Sequence, residues 1–252
     1  MTAYFWNKLT SKKVENYTIE VVTSSVRSSI EAERGGAKRI ELCGALATAG
    51  ITPSAGLFLI VKKYVKVPIY VMIRPREGNF CYSNHEFEVM VEEIKYFKSV
   101  GADGFVFGVL HEDATVDIDR TKILVEACGN RPVTFHRAFD ITPDMSVALE
   151  QIISTGCQRI LTSGGAPTGP KGIEMIHKLV EQATDRIIIM PGGGIRPSTF
   201  ESMLTPKIKE YHLSGRLPVI SNFQTPIFDM NWAETDAEEI RKVVGFFTRD
   251  KR

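Results

Sequence analysis

One unit recurs eight times along the chain and constrains the fold more than any other feature. In each unit a short apolar segment ends in polar residues, and a helical pattern follows it. Apolar runs of this length, bounded by turn signals, are typical of strands buried on both faces of a parallel sheet. We predict strands at 18–23, 39–43, 68–73, 104–109, 159–162, 186–190 and 210–214, with the fifth strand in the stretch 132–140.

Eight strand–helix units in 252 residues indicate a single-domain α/β protein with the (β/α)8 or TIM-barrel fold. A doubly wound open sheet is the alternative, but it usually has fewer units, and no GxGxxG follows strand one. A miscounted strand is a second alternative. Residues 1–17 show no clear period and are predicted to form a tail or flap. The barrel then spans 18–252, with an irregular segment at 215–232 before the last helix.

The polar residues of the strands predict where the site lies. Side chains alternate along a strand, and the outer face of a parallel barrel packs on helices, so the polar members point inward. This rule gives five catalytic candidates near one end of the barrel: Glu20, Glu41, Arg74, His136 and His212. Because isolated buried charges are unstable, we predict that Arg74 contacts Glu20 or Glu41. The alternative is a salt-bridge network that only stabilises the barrel.

Cationic and small residues beside this cluster predict an anion site. Barrels commonly hold phosphate on the backbone after strands seven and eight. The anion-binding candidates are Arg76, Arg137, Ser163, Gly164, Gly192, Gly193, Gly194 and Ser214. For the glycines a tight turn is the simpler explanation, because glycine tolerates positive φ.

Composition excludes several classes of function. Lys plus Arg number 31 and Asp plus Glu number 30, so the net charge of +1 gives no sign of a nucleic-acid partner or an acidic membrane surface. No apolar run approaches the roughly 18 to 20 residues that span a bilayer. The four cysteines are widely spaced, without CxxC and without a secretory leader, so we predict a cytoplasmic protein.

Two of the cysteines are candidate metal ligands. Cys43 and Cys81 follow strands two and three, so they could meet at the functional face of the barrel. Soft thiolates favour Cu(I), with methionine and histidine as co-ligands. Without CxxC or a dense Cys/His cluster, however, spacing alone does not reveal a preformed copper or zinc site.

Several motifs together resemble the CutC family. They are IELC at 40–43, TPS at 52–54, MIRPR at 72–76, FCYS at 80–83, VTFHRAFD at 133–140, LTSGG at 161–165, PGGGI at 191–195 and HLSGR at 212–216. The resemblance implies a (β/α)8 barrel with a role in cytoplasmic copper homeostasis, copper binding and self-association as a homo-oligomer. It makes Cys43 the leading copper ligand. Val22 stands where relatives often have cysteine, which weakens a site built from two cysteines on strands one and two.

Three functional hypotheses therefore stand side by side. The resemblance favours a protein that binds or handles Cu(I). The cluster of Arg74, His136 and His212 beside the glycine loop favours an enzyme that acts on a small anionic metabolite, phosphorylated metabolites included. The aromatic residues of 215–232 would fit a scaffold that uses them at an interface.

Overall fold

The sheet contains the eight parallel strands that the sequence predicts. The computed structural model describes residues 17–223, 225, 227 and 230–248; the predicted tail or flap, apart from Tyr17, lies outside these residues. The strands are β1 Thr18–Thr23, β2 Arg39–Leu42, β3 Ile69–Met72, β4 Gly104–Phe107, β5 Val133–Phe135, β6 Arg159–Thr162, β7 Ile188–Pro191 and β8 Glu210–Leu213.

A helix follows each strand of the sheet. The helices are α1 Val26–Gly35, α2 Ala55–Tyr64, α3 Asn84–Ser99, α4 Ile118–Cys128, α5 Met145–Thr155, α6 Ile173–Ala183, the short α7 Pro197–Phe200 and α8 Ala237–Thr248. Side-chain caps define where several of them begin: Ser25, Ser54 and Ser83 each accept a backbone N–H of the first turn. Within the described ranges, no helix combines the length and apolar character needed to cross a membrane.

The strands form a nearly closed barrel, which confirms the predicted fold. Their order in the sheet is β7-β6-β5-β4-β3-β2-β1-β8, and each hydrogen-bonded pair is parallel. The two ends of the sheet come together: a Cβ built on Gly192, just after β7, would lie 3.3 Å from the Cβ of His212 on β8. The carboxyl ends of all eight strands therefore surround one mouth.

Two separate apolar clusters show the alternation that the sequence predicts. The large core between sheet and helices takes the outward members of the strands, among them Ile19, Val21, Ile40 and Leu42. A small cluster inside the barrel takes the inward members Val22, Cys43, Tyr70, Met72 and Val106. The remaining inward positions carry the polar and charged side chains from which the site is built.

The structure differs from the sequence prediction in two connecting segments. The segment 215–232, predicted to be irregular, begins with strand β9 Arg216–Val219, which pairs antiparallel with β10 Trp232–Thr235. Pro143, which the sequence alone would allow in the first turn of α5, instead precedes the N-cap Asp144, whose carboxylate accepts the N–H groups of Ser146 and Val147. The aspartate carboxylate accepts N–H groups of the first turn, whereas a proline side chain has no acceptor atom, so the helix begins after Asp144.

Candidate functional site

A network of four charged side chains fills the amino-terminal half of the barrel. Arg39 donates to both Glu20 and Glu210. Arg159 donates its Nε–H to Glu210 Oε2 at 2.6 Å and its Nη1–H to Thr134 at 3.2 Å. All four charged groups are buried, and the two guanidiniums balance the two carboxylates. Such a balanced network stabilises the barrel interior only while every member is present.

The ring of Tyr70 packs beneath both guanidiniums of this network. The Cζ atoms of Arg39 and Arg159 lie 4.9 Å and 5.5 Å from the ring centroid. Gly104, opposite Tyr70 on the next strand, makes room for the ring, because a Cβ there would lie 2.7 Å from it. Both guanidiniums therefore make cation–π contacts with this ring.

Above this network, Glu20, His212 and Glu41 form a cluster of titratable groups. His212 Nδ1 lies 2.7 Å from Glu20 Oε1 and 3.9 Å from Glu41 Oε2. The buried Oε2 of Glu41 has no hydrogen-bond partner. One ligand atom from each of the three residues lies within 4.8 Å of the others. These three side chains can therefore share a proton or surround a cation.

Burial and charge set the protonation of this cluster. Burial, together with the neighbouring charge of Glu20, raises the pKa of Glu41 to about 7. Burial alone would also raise the pKa of Glu20, but Arg39 and His212 hold it well below its ordinary value. Burial would lower the pKa of His212, yet Glu41 and Glu20 raise it overall. Arg39 and His212 therefore favour the ionised form of Glu20, the two carboxylates favour the protonated form of His212, and the pKa of Glu41 places its proton exchange near neutral pH.

Arg74 lies at the mouth, and the prediction that it contacts Glu20 or Glu41 is wrong. Its guanidinium donates to the carbonyl oxygens of Gly50 at 2.7 Å and Gly78 at 2.9 Å. The strand register explains the separation: Glu41 lies beside Tyr70 on β3, and Arg74 is four residues farther along the chain, just past the end of β3. At about 3.3 Å per residue this places Arg74 about 13 Å higher in the barrel.

Arg74 is a buried cation without a counter-ion. It is 4 % exposed, its Nε has no hydrogen-bond partner, and no described carboxylate lies within ion-pair distance. Its backbone is fixed by Thr52, whose hydroxyl accepts the Arg74 N–H at 2.9 Å and donates to Glu93 at 2.7 Å. The structure therefore holds the cation rigidly while leaving one of its donors unused.

His136 presents a second unused donor beside Arg74. Its Nδ1 accepts the N–H of Ala138 at 3.2 Å, so the neutral ring carries its proton on Nε2, which is buried and has no partner. Burial and the charge of Arg74 lower the pKa of His136 to about 3, so the ring is neutral. The centroid of the Phe80 ring lies 4.9 Å from that of the His136 imidazole and 5.0 Å from the Arg74 guanidinium carbon. Phe80 therefore packs against both groups.

A cavity of about 500 Å³ opens above these groups at the carboxyl ends of the strands. This volume suits a small metabolite. Of the five catalytic candidates, four line the cavity and Glu20 lies behind His212. The lining residues among the predicted site are Glu41, Arg74, Arg137, His136, Gly193, Gly194, His212 and Ser214.

The other anion-site candidates serve the loops. Arg76 donates to Glu86 at 2.5 Å and to the Cys81 carbonyl at 2.8 Å, and it does not line the cavity. Ser163 is engaged by Arg137 and Asp140. Gly164 has φ +70°, and a Cβ there would collide with the carbonyl of Gly172. These residues therefore shape the mouth rather than face a ligand.

The glycines after β7 also have a structural reason. Gly193 and Gly194 have φ +80° and +70°, and a Cβ on Gly194 would lie 2.7 Å from Thr168. Gly192 packs inside the barrel, where a Cβ would lie 2.5 Å from Leu161. The backbone of Gly193 and Gly194 nevertheless forms part of the cavity wall.

The two candidate metal cysteines occupy different surroundings. Cys43 is buried, its thiol faces the Thr23 carbonyl at 3.6 Å, and burial raises the pKa of this thiol. Cys81 is partly exposed in the loop that Arg76 holds. Neither lines the cavity. In the part of the chain that the structure describes, neither belongs to a group of three or more metal-binding side chains.

Among the candidate ligands that the structure describes, the donor type decides which fit Cu(I). The two carboxylates and the imidazole around His212 are harder donors than Cu(I) prefers. Softer donors meet beside Gly50, where an added Cβ would lie 3.3 Å from Cys43 Sγ and 3.7 Å from Met72 Cε. Val22, the strand-one residue that stands where CutC relatives often have cysteine, packs in the same cluster as Cys43 and Met72. Cys43 and Met72 are therefore the soft pair inside the barrel.

Sequence reasoning missed several residues of the site. Arg39 and Arg159 face inward by the same alternation that selected Glu20 and Glu41, so that signal could have found them. Asp140 forms an ion pair with Arg137 at 2.7 Å. Both residues belong to the HRAFD motif, but the motif alone does not show that they pair. Arg216 lines the cavity from β9, where no strand was predicted.

The fold and the site together define a (β/α)8-barrel protein with a small-molecule-sized cavity, lined in part by charged side chains, at the carboxyl ends of its strands. The sequence model of the CutC family matches residues 17–217. The chain therefore belongs to the CutC family.

Relatives and solved structures agree with this assignment. The human copper homeostasis protein cutC homolog is 46% identical over 201 residues, which cover 79% of this chain and 74% of the relative. A CutC family protein of Vibrio vulnificus strain YJ016 is 45% identical over 204 residues, covering 80% and 82%. The crystal structure of the copper homeostasis protein CutC from Streptococcus agalactiae has a TM-score of 0.75 at 30% identity, covering 79% and 98%.

Proposed function

We propose that the cavity binds a small anionic metabolite and carries out acid–base chemistry on it. The observation that carries this proposal is Arg74, a buried guanidinium at the cavity with an unused Nε–H and no described carboxylate beside it. A buried charge without a counter-ion is costly, so an anionic ligand would stabilise this arrangement. The Nε2–H of His136 adds a neutral donor to the same ligand group.

The proposed chemistry uses the pair of titratable groups deeper in the cavity. Glu41 has a pKa of about 7, which suits a group that both gives and takes a proton at neutral pH. His212, which is hydrogen-bonded to Glu20 and has a raised pKa, can exchange a proton with Glu41 or with the ligand. Arg74 and His136 would hold the anionic end of the ligand at the mouth, while Glu41 acts on a part of the ligand that lies deeper in the cavity.

Replacing Arg74 by glutamine should weaken binding of a small anion by about 10- to 100-fold, the range expected for one charge-assisted contact. Isothermal titration with inorganic phosphate, acetate and pyruvate measures this. The matched control is Arg76→Gln, since Arg76 also binds loop carbonyls but lies outside the cavity lining. Equal losses in both variants would attribute the effect to loop folding and reject the anion site.

A second candidate function is Cu(I) binding, favoured by the placement of Cys43 Sγ and Met72 around Gly50 and by the names of the curated relatives. In this proposal copper is cargo, held by the Cys43 thiolate and the Met72 thioether. Cys81, the other sequence candidate, lies in the loop bound by Arg76 and would join only if that loop moved.

The Cys43→Ala variant should bind Cu(I) at least about tenfold more weakly than the unchanged protein, because a thiolate is the strongest soft ligand inside the barrel. Because burial raises the pKa of Cys43, the thiol must release a proton on binding, so affinity should rise with pH. Anaerobic titration against a competing chelator measures both effects. Cys128→Ala, at the end of α4, is the control; equal affinity of all three proteins would reject Cys43 as a ligand.

We also propose a cytoplasmic location and self-association. All four cysteines are free, which is compatible with a reducing compartment. The hairpin of β9 and β10 exposes Leu217, Ile220 and Trp232, which are candidates for an interface between copies or with another protein. Light scattering on the full chain measures the subunit number.

A further inference from the structure

Arg74 is not the only cation on the cavity wall without an acidic partner. Arg196, which follows β7, and Arg216, which begins β9, also line the cavity. Among the described residues, neither forms an ion pair with a carboxylate. Arg216 donates through Nε and Nη2 to the carbonyl of Ala233, at 3.1 Å and 2.9 Å, which leaves its Nη1 donors for a ligand.

The carboxylates that line the cavity lie beside basic side chains other than these three arginines. Asp140 pairs with Arg137 at 2.7 Å, and Glu239 pairs with Lys242 at 2.6 Å. Glu41 lies 3.9 Å from His212. The described part of the wall therefore carries an excess of positive charge that no protein group offsets.

These cations approach the cavity from opposite sides. In the sheet order, β3 stands four strands from β7 and three from β8. Arg74 follows β3, whereas Arg196 and Arg216 follow β7 and β8. A single small anion at Arg74 and His136 would therefore leave the other two arginines without a partner.

The hairpin holds Arg216 in position. The hydroxyl of Thr235, at the end of β10, donates to the Ser214 carbonyl at 2.9 Å, and its N–H donates to Ser28 at 3.1 Å. β10 is thus tied to the barrel at the same point where Arg216 pairs with it across the hairpin. The cation belongs to a fixed wall of the cavity.

We infer that the ligand of this cavity carries two anionic groups, one at Arg74 and His136 and the other at Arg216 and Arg196. The chemical class is a short dicarboxylate or a phosphorylated acid, both of which fit a cavity of about 500 Å³. This inference rests on the proposed anion-binding function and adds its substrate class. Two separated positive ends select the ligand by length as well as by charge.

The test compares probes that differ by one charge. Succinate is matched with its monomethyl ester, and 2-phosphoglycolate with ethyl phosphate, by isothermal titration at constant ionic strength. In at least one pair, the probe with two anionic groups should bind about tenfold more tightly or better than its partner with one. Which pair shows the difference distinguishes a dicarboxylate from a phosphorylated acid.

Variants assign the second charge to Arg216. In Arg216→Gln the advantage of the probe with two anionic groups should disappear while the probe with one keeps its affinity, and Arg216→Lys should restore part of this advantage. Arg27→Gln is the control, because Arg27 pairs with Glu234 on β10 at 3.0 Å without lining the cavity. A loss in Arg27→Gln equal to that in Arg216→Gln would reject the direct role of Arg216.

The outcomes separate this inference from the function on which it rests. If both members of each pair bind equally well and depend on Arg74, the second anionic site is refuted and the anion-binding function stands. If no probe of either kind binds, both proposals fail.

Discussion

Replacing Arg39 by methionine is expected to lower the free energy of unfolding by about 3–5 kcal/mol, the cost of breaking a buried ion pair from one side. Arg39 is the only described side chain that joins Glu20 to Glu210. Without it, Glu20 keeps only His212 as a charged hydrogen-bond partner, and Glu210 keeps only Arg159. An uncompensated buried carboxylate is the source of the loss.

Urea denaturation followed by circular dichroism measures this effect. The control is Arg186→Met, which removes a surface guanidinium paired with Glu150 at 2.7 Å and should leave stability unchanged within error. The two variants delete the same chemical group from an ion pair, one inside the barrel and one at its surface. A loss no larger for Arg39 than for Arg186 would mean that water reaches the network and replaces the missing charge.

The fold follows from the sequence because its pattern is local and repeated. Each strand is a short apolar run in which inward-facing positions alternate with outward-facing ones. Polar residues such as Glu20 and Glu41 occupy inward-facing positions. Helix starts are equally local, since Ser25 and Ser54 cap the helices that follow them. Properties set by near neighbours in the chain are readable in the sequence.

The partners inside the barrel are a different matter, because they depend on height along neighbouring strands. Alternation places Glu41 and Arg74 on the same inner face, but the register puts Arg74 four residues beyond the neighbour of Glu41. The carboxylates of Glu20 and Glu210 therefore pair with Arg39, whereas Arg74 binds loop carbonyls. Whether a strand side chain points into the barrel follows from the local sequence, but its position along the barrel axis depends on the register of neighbouring strands. The sequence could therefore predict which side chains fill the interior, but not which of them form ion pairs.

The hairpin shows a second limit of the sequence pattern. β9 contains Pro218 and exposes two of its four residues, so its sequence lacks the apolar run that marks a buried strand. It forms because β10 pairs with it and because Arg216 bonds across to Ala233. The role of Arg216 at the cavity is therefore visible only in three dimensions.

The stability of the Glu41→Gln variant should exceed that of the unchanged protein by about 3 kcal/mol at about pH 8, and the two should be nearly equal below about pH 4.5. Glutamine has the shape of a protonated glutamate and cannot ionise. The pKa of Glu41 is about 7 in the folded protein, against an ordinary value of 4.5, so the folded protein binds this proton more tightly than the unfolded chain.

The direction of the pH effect follows from that difference. The favourable contribution of the protonated carboxyl is fully present below about pH 4.5 and is lost as pH rises to about 7, where the folded protein also releases the proton. Since the glutamine side chain has no such proton to release, the variant escapes this loss. The gap between the two proteins should therefore open between these two pH values and stay constant above them.

Chemical denaturation at a series of pH values measures the gap directly. Glu150→Gln is the control: the pKa of Glu150 is lowered to about 2 by Arg186 and Gln182, so its effect on stability should not change over the same range. A constant gap for Glu41→Gln would show that this carboxyl titrates normally. It would then be ionised at neutral pH, and the proton-transfer role proposed for Glu41 would lose its physical basis.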